Sequence, residues 1–235
     1  MAQRRILLKI SGESLCTEGG FGIDPKQVLD LARQIQGGLA GGELQLSLVV
    51  GGGNFVRGEQ IAGQGIDRVT GDNMGMLATI MNALALQSAL EALGVETRVQ
   101  SAIQVNDVAE PFIRRRSIRH MEKGRVVILA GGTGHPYFTT DTTAALRALQ
   151  IGATTLFKGT KVKGVYSADP IVHPEAQFFD RLTFLDVLQR RLKVMDSTAI
   201  SLCMDNKLPI LVFSMREPGN VERALRGERL GTLVE

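Results

Sequence analysis

Three short apolar stretches in this 235-residue chain each run directly into a glycine-rich turn. The pairs are 6–10 with Ser11-Gly12-Glu13, 46–50 with Gly51-Gly52-Gly53-Asn54, and 125–130 with Gly131-Gly132-Thr133-Gly134. A glycine at the end of a strand lets backbone N–H groups approach a ligand closely, because no Cβ stands in the way. Clustered N–H donors suit phosphate oxygens, above all beside a helix N-terminus. Three such loops in one chain predict a site that holds several phosphates.

Strand-like and helix-like patterns alternate along the chain, which is typical of a largely parallel sheet covered by helices. The expected strands are 6–10, 46–50, 96–102, 125–130, 154–157, 208–214 and 231–234. The expected helices are 25–36, 72–93, 111–122, 141–150, 182–192 and 196–206. Asp24 is expected to cap the first helix and the glycine-rich stretch 37–42 to end it. No repeat or flexible linker interrupts the pattern, so we predict one α/β domain over residues 1–235.

Composition favours a soluble globular protein. The net charge is only +3, and Arg114-Arg115-Arg116 is the one tight basic cluster, which argues against a nucleic-acid partner. No stretch approaches the length of a membrane span, and the first apolar run is too short for a signal peptide. Cys16 and Cys203 form neither a disulfide framework nor a zinc motif. We therefore expect a cytoplasmic protein with reduced cysteines and no membrane partner.

Several familiar motifs are absent from the sequence. It contains no G-x-x-x-x-G-K-[ST] and no G-x-G-x-x-G after a strand, which argues against P-loop kinases and dinucleotide dehydrogenases. It also lacks H-E-x-x-H, G-x-S-x-G and paired-cysteine metal motifs. The three histidines, His120, His135 and His173, are scattered, and a structural or surface role is expected for each.

Lys9 lies inside the first apolar strand, where an ammonium group needs an anion to offset its lost hydration. Beside Ser11 and Gly12, it is placed to neutralise a transferring phosphoryl group. The alternative is a lysine on an edge strand that points into water.

In the second loop, Arg57 is placed for a forked contact to phosphate. Asp72 is expected to cap the following helix, to accept hydroxyl groups of a sugar, or to do both.

The segment 132–141 combines a phosphate-binding backbone, an aromatic face, hydroxyl donors and a carboxylate. Thr140 or Asp141 acting only as a helix N-cap is the simpler interpretation. Further along, Lys158 lies in the next strand, and Tyr166 and Asp169 are placed to frame a purine as a flat wall and a hydroxyl acceptor. An ordinary loop is the alternative for that stretch.

These motifs resemble the bacterial uridylate (UMP) kinases of the amino acid kinase family, over nearly the whole chain. The matching segments are Lys9 to Glu13, Gly51 to Arg57, Gly71 to Thr79, Gly132 to Asp141, Thr160 to Pro170 and Lys193 to Asp196. The resemblance implies a three-layer αβα sandwich with a mainly parallel central sheet, usually assembled as a homohexamer. It also implies activation by GTP and inhibition by UTP between subunits, with Arg98, Arg114 to Arg116 and Arg119 as candidate cations. A solvated basic helix explains these arginines equally well.

The resemblance also assigns binding residues. ATP contacts are implied for Lys9, Ile10, Ser11, Gly12, Gly53, Arg57, Thr160, Tyr166 and Asp169. UMP contacts are implied for Gly52, Asp72, Thr133, Gly134, His135, Pro136, Tyr137, Phe138, Thr139 and Thr140. His135 stands where the family has asparagine, which bears on the UMP contact. Lys163 stands where an aspartate is common, with no consequence expected for the reaction.

The chemistry agrees with this assignment. A UMP phosphate is largely ionised at neutral pH, so it can attack the γ-phosphorus of ATP without a general base. The transfer then depends on positioning and charge neutralisation. We expect Lys9, Lys158 and Asp141 to be catalytic, with the carboxylate orienting a lysine or a water on Mg²⁺. The Mg²⁺ is expected to arrive with ATP, so no metal site of the protein's own is predicted.

Two alternatives stay open at this point. Another kinase of the same fold would phosphorylate a carboxylate or carbamate, since the fold alone does not select the substrate. Such a kinase needs a compact acid site, whereas this chain has the long loop up to Asp141. A nucleotide sensor or anion-storage protein without catalysis would bind UMP without turnover. The joint presence of Lys9, Asp141 and Lys158 argues against it.

Overall fold

The computed structural model describes residues 4–42, 44–56 and 65–235. The strands are β1 (Arg4–Ile10), β2 (Leu44–Val50), β3 (Thr97–Ser101), β4 (Glu110–Pro111), β5 (Val126–Ala130), β6 (Thr155–Thr160), β7 (Val165–Tyr166), β8 (Phe178–Phe179), β9 (Arg181–Leu182), β10 (Ile210–Ser214) and β11 (Thr232–Val234). The helices are α1 (Pro25–Leu39), α2 (Arg68–Ala92), α3 (Arg114–Glu122), α4 (Thr140–Ile151), α5 (Phe184–Gln189), α6 (Ser197–Asp205) and α7 (Asn220–Leu225), with a 3-10 turn at Gly12–Leu15.

Nine strands form one sheet in the order β4-β3-β5-β2-β1-β6-β10-β11-β9. The pairings are parallel except between β10 and β11, and β7 and β8 form a separate antiparallel hairpin. Because β1, β2, β5 and β6 are parallel neighbours at the centre, their carboxyl ends meet at one edge. The loops that follow these strands therefore converge there, as ligand sites of open α/β sheets require.

Helices cover both faces of the sheet. Side chains of Ile6, Leu8 and Ile10 lie in one buried cluster with residues of α1, α2 and α7. Leu7 lies in a second cluster with residues of α3, α4, α5 and α6. This alternation along β1 is what a strand buried on both faces requires. The predicted three-layer sandwich with a mainly parallel sheet is confirmed. Since both cores share one sheet, we propose a single domain over residues 1–235.

Helix α1 begins as predicted but ends later. The Asp24 side chain caps it by accepting from the N–H of Lys26 at 2.9 Å. The helix continues through Gly37 and Gly38, which were expected to end it. A Cβ on Gly38 would lie 2.6 Å from the Cβ of Leu225, so this glycine lets α1 and α7 approach closely. The expected helix stop is therefore a packing contact.

The start of α2 corrects the interpretation of Asp72. The helix begins at Arg68, and Asp67 caps it by accepting from the N–H of Thr70 at 3.0 Å. Asp72 lies inside the helix and is free of any capping role. Leu77, also inside this helix, is 50% exposed.

Other boundaries differ for local reasons. Glu110 and Pro111 pair with β3 as a short strand, so α3 starts at Arg114. The Thr183 side chain forms a capping box with Asp186 at the start of α5, and beyond its end Arg191 adopts a φ of 50°, so α5 is shorter than predicted. The helix α7 and the short strands β7, β8 and β9 were not predicted, because elements of two to six residues carry too little periodicity. None of the helices in the described residues is long and apolar enough to span a membrane.

Candidate active site

Lys9 and Lys158 lie directly opposite each other on the neighbouring strands β1 and β6. Asp141, in the first turn of α4, reaches between them. Its Oδ1 atom lies 2.9 Å from Lys9 Nζ, and its Oδ2 atom accepts a hydrogen bond from Lys158 Nζ at 2.6 Å. Lys158 also donates to the carbonyl oxygen of Val194 at 2.5 Å. Two cations and one carboxylate therefore form a rigid cluster with an excess positive charge.

The edge-strand alternative for Lys9 is wrong. Strand β1 pairs with β2 on one side and β6 on the other, so Lys9 lies near the centre of the sheet. Only 9% of the residue is exposed. A buried ammonium group requires an anionic partner, and Asp141 supplies it.

Burial and charge act in opposite directions on this cluster. Burial by itself would raise the pKa of Asp141, but the charges of Lys9 and Lys158 outweigh it, and the pKa lies below its usual value. Burial lowers the pKa of Lys158, and the charge of Asp141 opposes that decrease. The Asp141 carboxylate is therefore ionised at neutral pH and bridges the two lysine side chains.

The N-terminus of α4 is fixed by Asp196. The Thr139 side chain caps α4 by accepting from the N–H groups of Asp141 and Thr142. Asp196 in turn accepts from the hydroxyls of Thr139 at 2.5 Å and Thr142 at 2.9 Å. It also caps α6 by accepting from the N–H of Ala199. Thr139, rather than Thr140 or Asp141, is thus the N-cap, and one carboxylate joins two helix N-termini beside the lysine pair.

The glycine loops after β1 and β2 lie in close backbone contact. A Cβ on Gly12 would lie 2.6 Å from the carbonyl oxygen of Gly51, so no larger residue fits there. Two buried asparagines, Asn54 and Asn82, hold this arrangement by hydrogen bonding to each other. Asn82 also donates to the carbonyl oxygen of Gly51 at 2.7 Å. The backbone of these loops is therefore held in place before a ligand arrives.

Asp72 connects α2 with the loop after β5. Its Oδ2 atom accepts from the N–H of Tyr137 at 2.7 Å, and Arg68 Nε lies 2.9 Å from each of its oxygens. Tyr137 adopts a φ of 69°, in the left-handed region. The loop is thus fastened to the helix through one carboxylate.

Two adjoining cavities lie at this edge of the sheet, and both are lined by Glu13 and Gly53. The lysine cavity, of about 530 Å³, is bordered by Lys9, the glycine loops, α2 and the N-terminus of α4. The neighbouring cavity, of about 890 Å³, is bordered by the 3-10 turn, α1 and the segment 215–219. This arrangement suits two large polar ligands, one in each cavity, that touch where the cavities adjoin.

The structure brings most of the predicted site residues together. Those that line the lysine cavity are Lys9, Ser11, Gly12, Gly52, Gly53, Asp72, His135, Phe138, Thr139, Thr140 and Asp141. Thr160 lines the neighbouring cavity. Lys158 is not part of that lining and is connected to it through its hydrogen bond to Asp141. Arg57 lies outside the described residues.

Other predicted residues lie apart from both linings. Ile10 is fully buried in the core, and only its backbone faces the glycine loops. Thr133, Gly134, Pro136 and Tyr137 shape the loop without bordering the described cavities. The ring of Tyr166 packs edge-on against Phe178 at 5.3 Å, and Asp169 accepts from the N–H of Ile171. Their ATP contacts stay predictions.

Three site residues were missed by the sequence reasoning. Asp196 was recognised only as part of a matching segment, and Arg68 and Asn82 were not singled out. Arg68 and Asp72 are four residues apart, so once the helix start is known their pairing follows from helix geometry. For Asn82 and Asp196 the only local signal is a polar residue in an apolar helix or at its start. Among the described residues, no group of three or more His, Cys, Asp or Glu is placed to hold a metal ion.

Comparison with known proteins agrees with this geometry. The model of the amino acid kinase family matches residues 4–214. A curated protein of Deinococcus radiodurans named uridylate kinase is 55% identical over 99% of this chain and 95% of its own length. The crystal structure of UMP kinase from Bacillus anthracis has a TM-score of 0.94 at 37% identity, covering 99% of this chain and 96% of its own. That of Ureaplasma parvum UMP kinase has a TM-score of 0.91 at 39% identity, covering both chains fully. The chain therefore belongs to the amino acid kinase family, within its group of uridylate kinases.

Proposed function

We propose that this protein transfers the γ-phosphoryl group of ATP to UMP, giving ADP and UDP for pyrimidine nucleotide synthesis. The observation that carries the proposal is the cluster of Lys9, Asp141 and Lys158 at the lysine cavity. Its excess positive charge lies beside the N-terminus of α4, and both features favour an oxyanion-rich group. The uridylate kinase names of the relatives support UMP as the acceptor.

In this proposal, an oxygen of the UMP phosphate attacks the γ-phosphorus in line. The new oxygen–phosphorus bond forms as the bond to the β-phosphate oxygen of ADP breaks. Lys9 and Lys158 offset the negative charge that spreads over the transferring group. The nucleophile is already an anion, because a phosphate monoester has a second pKa of about 6. The reaction therefore needs no protein base, and Asp141 serves to position the two lysines.

The two cavities suit the two nucleotides. We assign UMP to the lysine cavity, where Asp72 borders the space for the ribose and the backbone after β5 borders the phosphate. We assign the approach of ATP to the neighbouring cavity, because Thr160 and Gly53 both line it. The phosphate chains then meet at Gly53, which both cavities share.

Mg²⁺ is expected to accompany ATP, and the donor groups of the site fit this role. Mg²⁺ usually keeps several waters and takes one or two carboxylates together with substrate phosphates. Asp141 and Asp196 both border the lysine cavity. The oxygens of Asp141 contact the lysines and those of Asp196 contact threonines, so these carboxylates would hold Mg²⁺ through its waters. When bound, the ion supplies charge neutralisation on the phosphate chain.

We further propose that the chain assembles with copies of itself, as a hexamer in line with the resemblance. Helix α2 exposes Met74, Leu77 and Met81, which recur at spacings of three and four residues. This spacing forms an apolar stripe along one face of the helix. The oligomer is tested by light scattering of the wild type and of Leu77→Asp. A smaller assembly in the variant supports the assignment, and an unchanged mass contradicts it.

The effector response to GTP and UTP is also a proposal. Arg114, Arg115, Arg116 and Arg119 form an exposed basic surface on α3, and only Arg119 is paired with an acid on the same helix, Glu122 at 3.5 Å. This surface suits a phosphate-bearing effector between subunits. An unchanged GTP response in Arg115→Ala and Arg119→Ala variants would contradict this role. The expected cytoplasmic location stays a prediction.

The proposed reaction is tested by ADP release from ATP and Mg²⁺ with UMP, CMP, dCMP, carbamate or N-acetylglutamate offered separately. UDP formed from UMP, with little product from the others, supports the proposal. Turnover of an acid would instead indicate the carboxylate or carbamate alternative. Tight UMP binding without turnover would indicate a sensor.

A further inference from the structure

Arg68 lies one helical turn before Asp72 on α2 and contacts both oxygens of its carboxylate. The Nε atom lies 2.9 Å from Oδ1 and 2.9 Å from Oδ2. Because Nε carries a single hydrogen, that hydrogen is shared between the two oxygens. The central carbon of the guanidinium lies 5.5 Å from the ring centroid of Tyr137. Arg68 thus contacts the carboxylate and the loop that covers it.

Tyr137 holds the same carboxylate from the other side. Its N–H donates to Asp72 Oδ2 at 2.7 Å, while its φ of 69° lies in a region that side chains rarely adopt. Such backbone strain persists only where surrounding contacts determine it. The charge-assisted hydrogen bond to Asp72 and the cation–π contact with Arg68 are those contacts here. Two elements that border the lysine cavity are thereby joined at one carboxylate.

An ionised carboxylate offers four lone-pair sites. The shared Nε hydrogen of Arg68 occupies one on each oxygen, and the N–H of Tyr137 occupies a second on Oδ2. Counting contacts among the described residues, one site, on Oδ1, is left to accept a hydroxyl group. Asp72 and Arg68 both line the lysine cavity. The guanidinium therefore also offsets the negative charge of Asp72 in the space assigned to an anionic acceptor.

We propose that Arg68 is a positioning residue that, together with Tyr137, holds Asp72 in place to accept a hydrogen bond from one ribose hydroxyl of the acceptor. Arg68 thereby sets the preference for a ribonucleotide over a deoxyribonucleotide. This inference rests on the proposed function, since it takes the ribose of UMP to lie at Asp72. It adds that the selectivity depends on Arg68, which acts through the Asp72 carboxylate and does not contact the substrate itself.

The test compares the binding of UMP, 2′-deoxy-UMP and 3′-deoxy-UMP to the wild type and to Arg68→Met by titration calorimetry. We expect the wild type to bind UMP at least about tenfold more tightly than one of the deoxy compounds. Arg68→Met should weaken the binding of UMP by about tenfold and the binding of that deoxy compound by less than about threefold. The preference for UMP therefore falls. A preference that stays at the wild-type value overturns the proposal, whatever happens to the affinities.

Steady-state kinetics separates positioning from a general structural defect. The KM for UMP should rise in Arg68→Met while kcat stays within about threefold of the wild type. Arg190→Met is the matched control: Arg190 pairs with Asp186 one turn away at 3.3 Å and lies 5.6 Å from the centroid of Phe179, outside the lining of both cavities. This control should keep the wild-type preference. Loss of preference in Arg190→Met as well overturns the proposal.

A second variant covers the case in which Arg68→Met does not fold. Arg68→Lys keeps the charge but lacks the planar guanidinium, so it should show a reduced preference for UMP. A full wild-type preference in Arg68→Lys then overturns the proposal. Failure of the proposed function looks different, because a wild type that binds none of the three nucleotides removes UMP as the acceptor.

Discussion

Lys158 Nζ lies 2.6 Å from Oδ2 of Asp141, in a contact that only the folded sheet creates. The two residues come from β6 and from the first turn of α4, and Lys9 of β1 completes the cluster at 2.9 Å. All three side chains are largely buried. Buried charges are stable only in compensated groups, so each member of this cluster depends on the others.

Lys9→Met tests whether the first lysine acts on the transition state. The methionine retains the length of the side chain and removes the charge. We expect kcat to fall about 10²- to 10³-fold, as for the loss of one stabilising donor, with UMP affinity changed by less than about threefold. Steady-state kinetics and calorimetry measure the two quantities. The exposed Lys123 provides the control, Lys123→Met, and near-normal turnover in Lys9→Met would reduce Lys9 to a structural residue.

Asp141→Asn leaves two buried ammonium groups without their carboxylate. We expect the free energy of unfolding to fall by about 3 kcal/mol, because breaking a buried pair leaves an uncompensated charge. The double variant Asp141→Asn with Lys158→Met should lose less than the sum of the single variants. Urea unfolding measures all three. Asp30→Asn, which breaks an exposed pair with Arg33, is the control and should change stability by less than about 1 kcal/mol. Additive losses in the double variant would show that the two groups are not coupled.

Asp196→Ala tests the link between α4 and α6. The variant removes the acceptor for two threonine hydroxyls and the cap of α6. We expect a loss of about 1–3 kcal/mol in the free energy of unfolding and a raised KM for UMP, because Thr139 and Thr140 border the cavity. Thr183→Ala, which removes the cap of α5 outside the cavities, is the matched control and should lower stability without changing KM. An unchanged KM in Asp196→Ala would limit Asp196 to stability.

Cys203 predicts a pH dependence of stability. Burial, together with the negative charge of Asp196, raises the pKa of its thiol from 9.0 to about 12. A raised pKa means that the folded state favours the neutral thiol. Its contribution is therefore complete below pH 9 and is lost as the pH rises from 9 towards 12.

Urea unfolding at pH 8, 9 and 10 checks this prediction for the wild type and Cys203→Ala. The wild type should lose stability more steeply above pH 9, with a difference in slope of up to about 1.4 kcal/mol per pH unit. Parallel pH curves for the two proteins would contradict the role assigned to Cys203.

Much of the fold and site follows from local sequence signals. The apolar run around Lys9 and the glycine turns fix the strand ends, and parallel neighbours bring those ends together. The role of Asp72 was harder to predict, because the start of α2 depends on a capping interaction at Asp67. Contacts such as Asp196 with Thr139 join residues 57 positions apart, and no local pattern encodes them. Gly38 was wrongly predicted to end a helix, because the contact that requires a glycine there is made by Leu225 of the neighbouring helix.

The central claim is that the acceptor phosphate is already ionised and attacks without a protein base. Lys9 and Lys158 then act by offsetting the negative charge on the transferring phosphoryl group. The pH dependence of kcat/KM for UMP, followed by chromatography of UDP, tests it most directly. The account predicts a plateau above about pH 7 and a single acid limb near pH 6 that follows the second ionisation of the acceptor phosphate. With the 5′-thiophosphate analogue of UMP, whose second ionisation is more acidic, that limb should move to lower pH. A limb that stays in place with the analogue and disappears in His135→Asn would identify a protein base and contradict the account.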